Sequence, residues 1–289
     1  MKPRFASTTP GIPRRIGFYL IAFTTLSALC LLLACGPAAP REGTPAFFWA
    51  AAKETYAAGY YMKTADHLDR ILQSDNEYTA RALPWSLLIT SGLASGYVDL
   101  VDQYEAGAKA TKATPGSFYK YASNYRSLAS RLTLRFAETF GEFDKTKDDS
   151  VTLDFPFPPG TAAAVPQLVA VAQGNLLPAA TADVVEQQAL ARGILLAASR
   201  AVGAPGDSAK AEQILKSGGG KVPRATFSLA MAKTLFESAQ LYSRQQIKDT
   251  EKMTILCQRA QALLSSLPAT PETKGLMVTV QVALKTSKP

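Results

Sequence analysis

Beyond residue 46, apolar residues recur at three- and four-residue steps through most of this chain. That period is the signature of amphipathic helices. Tyr61, Ala65, Leu68 and Leu72 form one such stripe, and Tyr121, Tyr125, Leu128, Leu132, Phe136 and Phe140 a longer one. Phe227, Met231, Leu235 and Tyr242 align in a third, and Leu256, Ala260, Leu263 and Leu267 in a fourth. Helices with such stripes bury them against one another. The expected fold is therefore all-α: antiparallel helix hairpins in a solenoid or repeat bundle. A chain that is 47% hydrophobic and 19% charged has a globular composition, not a disordered one.

Interruptions in the pattern give the boundaries. Gly59 breaks the first helical segment. Residues 144–160, DKTKDDSVTLDFPFPPG, replace helical periodicity with acids, lysines and an extended Pro-aromatic loop. Residues 181–202 include ALARGILLAASRAV, whose Ala and Gly allow helices to approach closely. Asp207 is placed to cap a short helix, and the following GGGK ends it. Pro268 stops another helix, and Thr270-Pro271 can open the last one, Thr as cap and Pro in the first turn. The MVTVQVAL stretch in residues 276–284 is rich in β-branched residues and reads as either helix or strand. The domain expected over 46–289 thus has an aromatic-rich half (46–143), the extended loop (144–160) and an Ala/Leu-rich half (161–289).

The N-terminus speaks to location. Residues 1–15 contain Lys2, Arg4, Arg14 and Arg15 and no acid, and Ile16 to Ala34 form a nineteen-residue uncharged run. A basic segment, an apolar segment and small residues at its end describe an export signal. The run also approaches the length of a membrane span, about 20 residues. Leu32-Leu33-Ala34-Cys35 resembles the bacterial lipobox. That resemblance implies a lipoprotein signal peptide over 1–34, cleavage before Cys35, and lipidation of Cys35. Several acyl chains would make a lasting anchor, at roughly 0.8 kcal/mol per buried methylene. Residues 35–45, rich in Pro and Gly, then read as a lipidated tether; ten extended residues reach roughly 30–35 Å.

This reading changes the charge. The whole chain carries 31 Lys and Arg against 23 Asp and Glu; without residues 1–34, 27 cations remain and the net charge falls from +8 to +4. So small an excess does not argue for a nucleic-acid partner. Cys30 leaves with the signal and Cys35 carries lipid, so Cys257 has no partner for an intramolecular disulfide.

Trp49, Tyr56, Gly59, Tyr61, Ala65 and Leu68 approximate the pattern of a tetratricopeptide repeat. A fainter second copy is expected where Gly59-Tyr60 recurs as Gly96-Tyr97. ITSGLASGYVDLVDQYEAGAKA, followed by FYKYASNYRSLASRLTLRF, resembles the T component associated with TRAP-type transporters. AKAEQILKSGGGKVPRATFSLA resembles a later part of that family. The resemblance implies a periplasmic helical lipoprotein, self-association, and partnership with a ligand-binding protein.

Nine of the eleven tyrosines lie between residues 56 and 125, and the tryptophans are Trp49 and Trp85. The aromatic half thus holds either a bulky core or an aromatic-lined concavity. The candidate groove comprises Tyr56, Tyr60, Tyr61, Trp85, Tyr97, Tyr104, Tyr121 and Tyr125. Phe155 and Phe157 either pack the Pro-rich arm over the helices or form a docking loop.

Catalytic signals are thin. The sole histidine, His67, and the thiol of Cys257 read as structural. Glu237-Ser238 and Gly275-Leu276-Met277 resemble lytic transglycosylase signatures, but Val278 stands where that family has Gln and the spacing is wide. Asp144, Asp148, Asp149 and Asp154 lack the alternation and glycine of a calcium loop. GGGK lacks the earlier Gly and following Ser or Thr of a phosphate loop. No metal or cofactor is expected. The leading expectation is a non-enzymatic envelope lipoprotein facing the periplasm, a scaffold for a partner protein or hydrophobic ligand, most concretely an accessory of solute uptake. A peptidoglycan-active enzyme and a structural envelope-assembly factor are the alternatives.

Overall fold

The computed structural model describes residues 40–286. The expected signal peptide and Cys35 lie outside them. Residues Glu42 to Pro289 form one compact unit that contains the entire described core. About 72% of the described residues are helical, in ten helices. None of these helices is long and apolar enough to cross a membrane.

Helix α1 spans Pro45–Ala57. The Thr44 hydroxyl caps it by accepting from the Phe47 amide at 3.3 Å, and Pro45 occupies the first turn. Gly59, at φ +78°, turns the chain into α2 (Tyr61–Leu72). The expected stripe faces the core, although Ile71 is fully buried and Leu72 only half-buried. Helices α3 (Thr79–Ala110) and α4 (Pro115–Phe143) are far longer, at 32 and 29 residues, and pack antiparallel.

Helix α3 is the hub. It touches α2, α4, and in the second half α5 (Pro166–Ala172), α6 (Ala179–Ala201) and α8 (Arg224–Ser243). The expected second repeat turn at Gly96-Tyr97 is absent, because both residues lie inside α3. Gly96 serves a helix crossing instead. A Cβ there would lie 2.9 Å from the Ala189 carbonyl oxygen and 3.0 Å from Leu190 Cα on α6. Gly92 similarly abuts Ile194, and a Cβ on Gly193 would overlap the backbone of Gly92 and Gly96. Three glycines thus let two backbones meet, as the small-residue composition of 181–202 suggested.

Helix α7 (Ser208–Ser217) opens with the Asp207 carboxylate accepting from the Lys210 amide at 3.0 Å and ends at the glycine run. That run leads into a short strand that composition did not announce. Strand β1 (Ser150–Thr152) pairs antiparallel with β2 (Lys221–Pro223), with Val151 opposite Val222. The Leu153 amide extends the ladder to the Gly220 carbonyl at 2.8 Å. The 144–160 segment is therefore partly strand, pinned on the loop that GGGK forms.

Helix α9 (Thr250–Ser266) packs on α8, and α10 (Pro271–Thr286) on α9. Thr270 caps α10 by accepting from the Thr273 amide at 3.2 Å. The β-branched run 276–284 is helix: Thr273 and Val280, one heptad apart, are its buried residues, and the helix packs chiefly on α9.

Candidate functional site

The aromatic residues do not line one groove. The fold gathers all of them but Tyr60 into two clusters, one at the N-terminal end of α3 and one along its C-terminal half. The first is built around Phe155, which is only 2% exposed. Its ring stacks on Trp49 and Tyr56, each with centroids 5.1 Å away, and meets Trp85 at 4.4 Å. Tyr61 adds an edge contact to Tyr56 at 5.6 Å. The Tyr56 hydroxyl donates to the Pro156 carbonyl at 2.9 Å, fixing the backbone of the arm. Arg81 pairs with Asp154 and lies over the Trp49 ring at 4.9 Å.

Of the two alternatives for the arm, packing or docking, these contacts give Phe155 the packing one. Phe155 fills a slot between three aromatic rings, and Phe157 packs half-buried on the core. Prolines hold the arm extended, so its side chains reach across the helices at little further entropy cost. Removing a phenylalanine ring from water contributes on the order of 2–3 kcal/mol.

The second cluster joins Tyr97 and Tyr104 of α3 to Tyr121 and Tyr125 of α4. Ring centroids are 5.8 Å apart for Tyr97 and Tyr125, and 5.0 Å for Tyr104 and Tyr121. Glu186, on α6, accepts a hydrogen bond from the Tyr97 hydroxyl at 3.0 Å. Burial, and then the Glu186 charge, push the Tyr97 and Tyr125 phenols far above their usual range. Burial pushes Tyr104 up to about 12. Phenols so disfavoured as anions act as hydrogen-bond donors, not as bases. Nothing in the sequence marked Glu186, because it reaches the tyrosines only through helix packing.

The groove expectation is corrected accordingly. Tyr56, Tyr61, Trp85, Tyr97, Tyr104 and Tyr125 are core residues, and Tyr121 is half-buried against them. Tyr60 alone stands exposed, with Lys63 over its ring at 5.1 Å. Tyr56, Trp85, Tyr97, Tyr104 and Tyr125 each meet at least two neighbouring aromatic rings or a neighbouring ring and a carboxylate.

The remaining candidates resolve locally. His67 stacks on Phe48 with centroids 6.2 Å apart. Cys257 is fully buried, and burial pushes its thiol up. Glu237 pairs with Arg200 at 2.6 Å. It borders a cleft of about 220 Å³ shared with Ser91, Thr133, Ser238 and Arg244. Arg244 is itself paired with Asp102. A larger cleft of about 720 Å³ runs between α2 and α4, edged by Asp69, Arg135, Glu138 and Lys145. Arg135 spans it, 2.6 Å from Asp69. Among the described residues no cluster of His, Cys, Asp and Glu is arranged to hold a metal ion. Comparison with protein-family models, curated proteins and solved structures finds no match for this chain.

Proposed function

We propose that the protein is a lipid-anchored scaffold of the bacterial cell envelope that binds a partner protein in the periplasm without enzymatic activity. The observation that carries this reading is Leu32-Leu33-Ala34-Cys35 directly after the uncharged run, followed by a Pro- and Gly-rich segment that leads into a compact body. Acylation at Cys35 gives the anchor, and residues 36–44 give the tether. The hairpins α1–α2, α3–α4 and α8–α9 support a kinship with helical repeat proteins. The resemblance to the T component of TRAP-type transporters makes an accessory role in solute uptake the most concrete version, with self-association as part of it.

Three measurements test this. Mass spectrometry of the protein from membranes is expected to find an acylated N-terminal Cys35; an intact segment 1–34 sinks the anchor. Crosslinking in intact cells, followed by purification, is expected to recover a solute-binding protein. Recovery of envelope-assembly proteins alone replaces the uptake role. Peptidoglycan cleavage that disappears on Glu237→Gln replaces the scaffold with an enzyme.

A further inference from the structure

Two stretches of this chain have an unusual charge distribution. Residues 106–137 contain six cations and no acid, and residues 155–182 contain no charged residue. The fold brings parts of both together. Helix α5 lies on the C-terminal end of α3, where Gly107 leaves room for the Val171 carbonyl. Just beyond α5, Gly174 abuts Thr111 of the α3–α4 loop; a Cβ on it would lie 3.3 Å from Thr111. An uncharged helix and its following loop thus sit beside the end of α3, which carries Lys109, and the loop after it, which carries Lys112.

The uncharged stretch is not simply core. Val169 is 50% exposed and Leu176 40% exposed, and Tyr119 on the first turn of α4 is 51% exposed. Two of the six cations, Arg126 and Arg135, are held by Glu105 and by Asp66 and Asp69. Lys109, Lys112 and Lys120 are exposed and have no ion-pair partner among the described residues. This end of the molecule therefore presents three lysines without ion-pair partners beside exposed apolar and aromatic side chains, and the first acid after the uncharged stretch is the exposed Asp183 at the start of α6. Ordinary protein surfaces intersperse both signs of charge.

We propose that this face docks reversibly on a bilayer containing anionic phospholipid. The chemistry favours lipid over a protein partner. Lysine is depleted in protein interfaces. At a bilayer its stem can lie along apolar surface while the ammonium reaches phosphate. Tyrosine favours the headgroup level, and Val169 and Leu176 supply shallow insertion. The contact is independent of a lipid on Cys35 and would set how the body faces the membrane.

The test uses the chain from Glu42 onward, which carries the whole described core. It is sedimented with vesicles of phosphatidylcholine alone, or of equal parts phosphatidylcholine and phosphatidylglycerol. Selective partitioning into the anionic vesicles, weakened by salt, is expected. Combining Lys109→Gln, Lys112→Gln and Lys120→Gln should lower the partition coefficient on the order of 100-fold, about fivefold per lysine. Leu176→Ser with Tyr119→Ser should lower it less. The proposal is overturned if the parent ignores anionic vesicles, or if the triple-lysine variant, melting at the parent temperature, partitions as tightly as the parent. Capture of a protein without vesicle binding overturns it equally. Because this chain lacks Cys35, neither outcome bears on the anchor, which its own mass-spectrometric test decides.

Discussion

Two of the contacts that hold α3 in place work by opposite means. Near its N-terminal end, Trp85 is locked by bulk: Phe155 and Tyr56 pack on it, and Trp49 stacks on Phe155 in turn. At its middle, Gly92 and Gly96 meet Gly193 by the absence of bulk, so that α6 approaches almost backbone to backbone. A slot filled by rings tolerates small shifts, because rings can slide and tilt. A seam built on missing side chains has no slack, because what it would strike is backbone. Close packing at interior density makes both kinds of contact sensitive to volume, but in opposite directions.

The difference has consequences that measurements can break. The largest concerns alkali. Tyr56, Tyr97, Tyr104 and Tyr125 have phenols raised above the ordinary value of 10.0. Each binds its proton more tightly folded than unfolded. The stability this contributes is fully present below about pH 10 and is lost as pH rises through the folded values. Tyrosinate absorbance from these four phenols should therefore appear together with loss of helical circular dichroism. Ionisation of these four near pH 10 while the helices persist would show that the aromatic half is open to water. The glycine seam, which has no titrating group, should fail only as part of that global transition.

Next comes Phe155→Ala, expected to cost about 4 kcal/mol by emptying its slot. Denaturant unfolding checks this, and a cost below about 1 kcal/mol would mean the arm is not part of the core. Gly193→Ala runs the comparison in reverse. One added methyl overlaps the Gly92 carbonyl, and a loss of about 3 kcal/mol is expected. A neutral result would mean that α3 and α6 can separate freely. The smallest effect is local. Asp207→Ala removes the cap of α7 and should cost about 1 kcal/mol, read from thermal unfolding.

Much of the architecture was legible because it rests on local chemistry. The Asp207 cap, the Thr270-Pro271 start, the Gly59 turn and the helical stripes each depend on residues within a turn or two of one another. The site was less legible. Tyr97 and Tyr125 could be recognised as important aromatics, but whether their rings faced water or each other depended on the angle at which α3 and α4 pack. Gly96-Tyr97 misled for the same reason. A glycine before a tyrosine can mark a turn, as at Gly59, or a close crossing, as at Gly96. Only the position of α6 distinguishes the two. Glu186 and the β1–β2 pair gave no warning, since their partners lie 89 and about 70 residues away.

By itself, then, the sequence determined the helices, their caps and breaks, and the expectation of an anchored body, because periodicity and end chemistry act over a few residues. Tertiary structure alone decided which aromatics were core, which glycine was a seam, and which uncharged stretch met the lysines. Those outcomes depend on which distant surfaces come into contact, and burial, hydrogen bonding and charge follow from that contact rather than from neighbours along the chain.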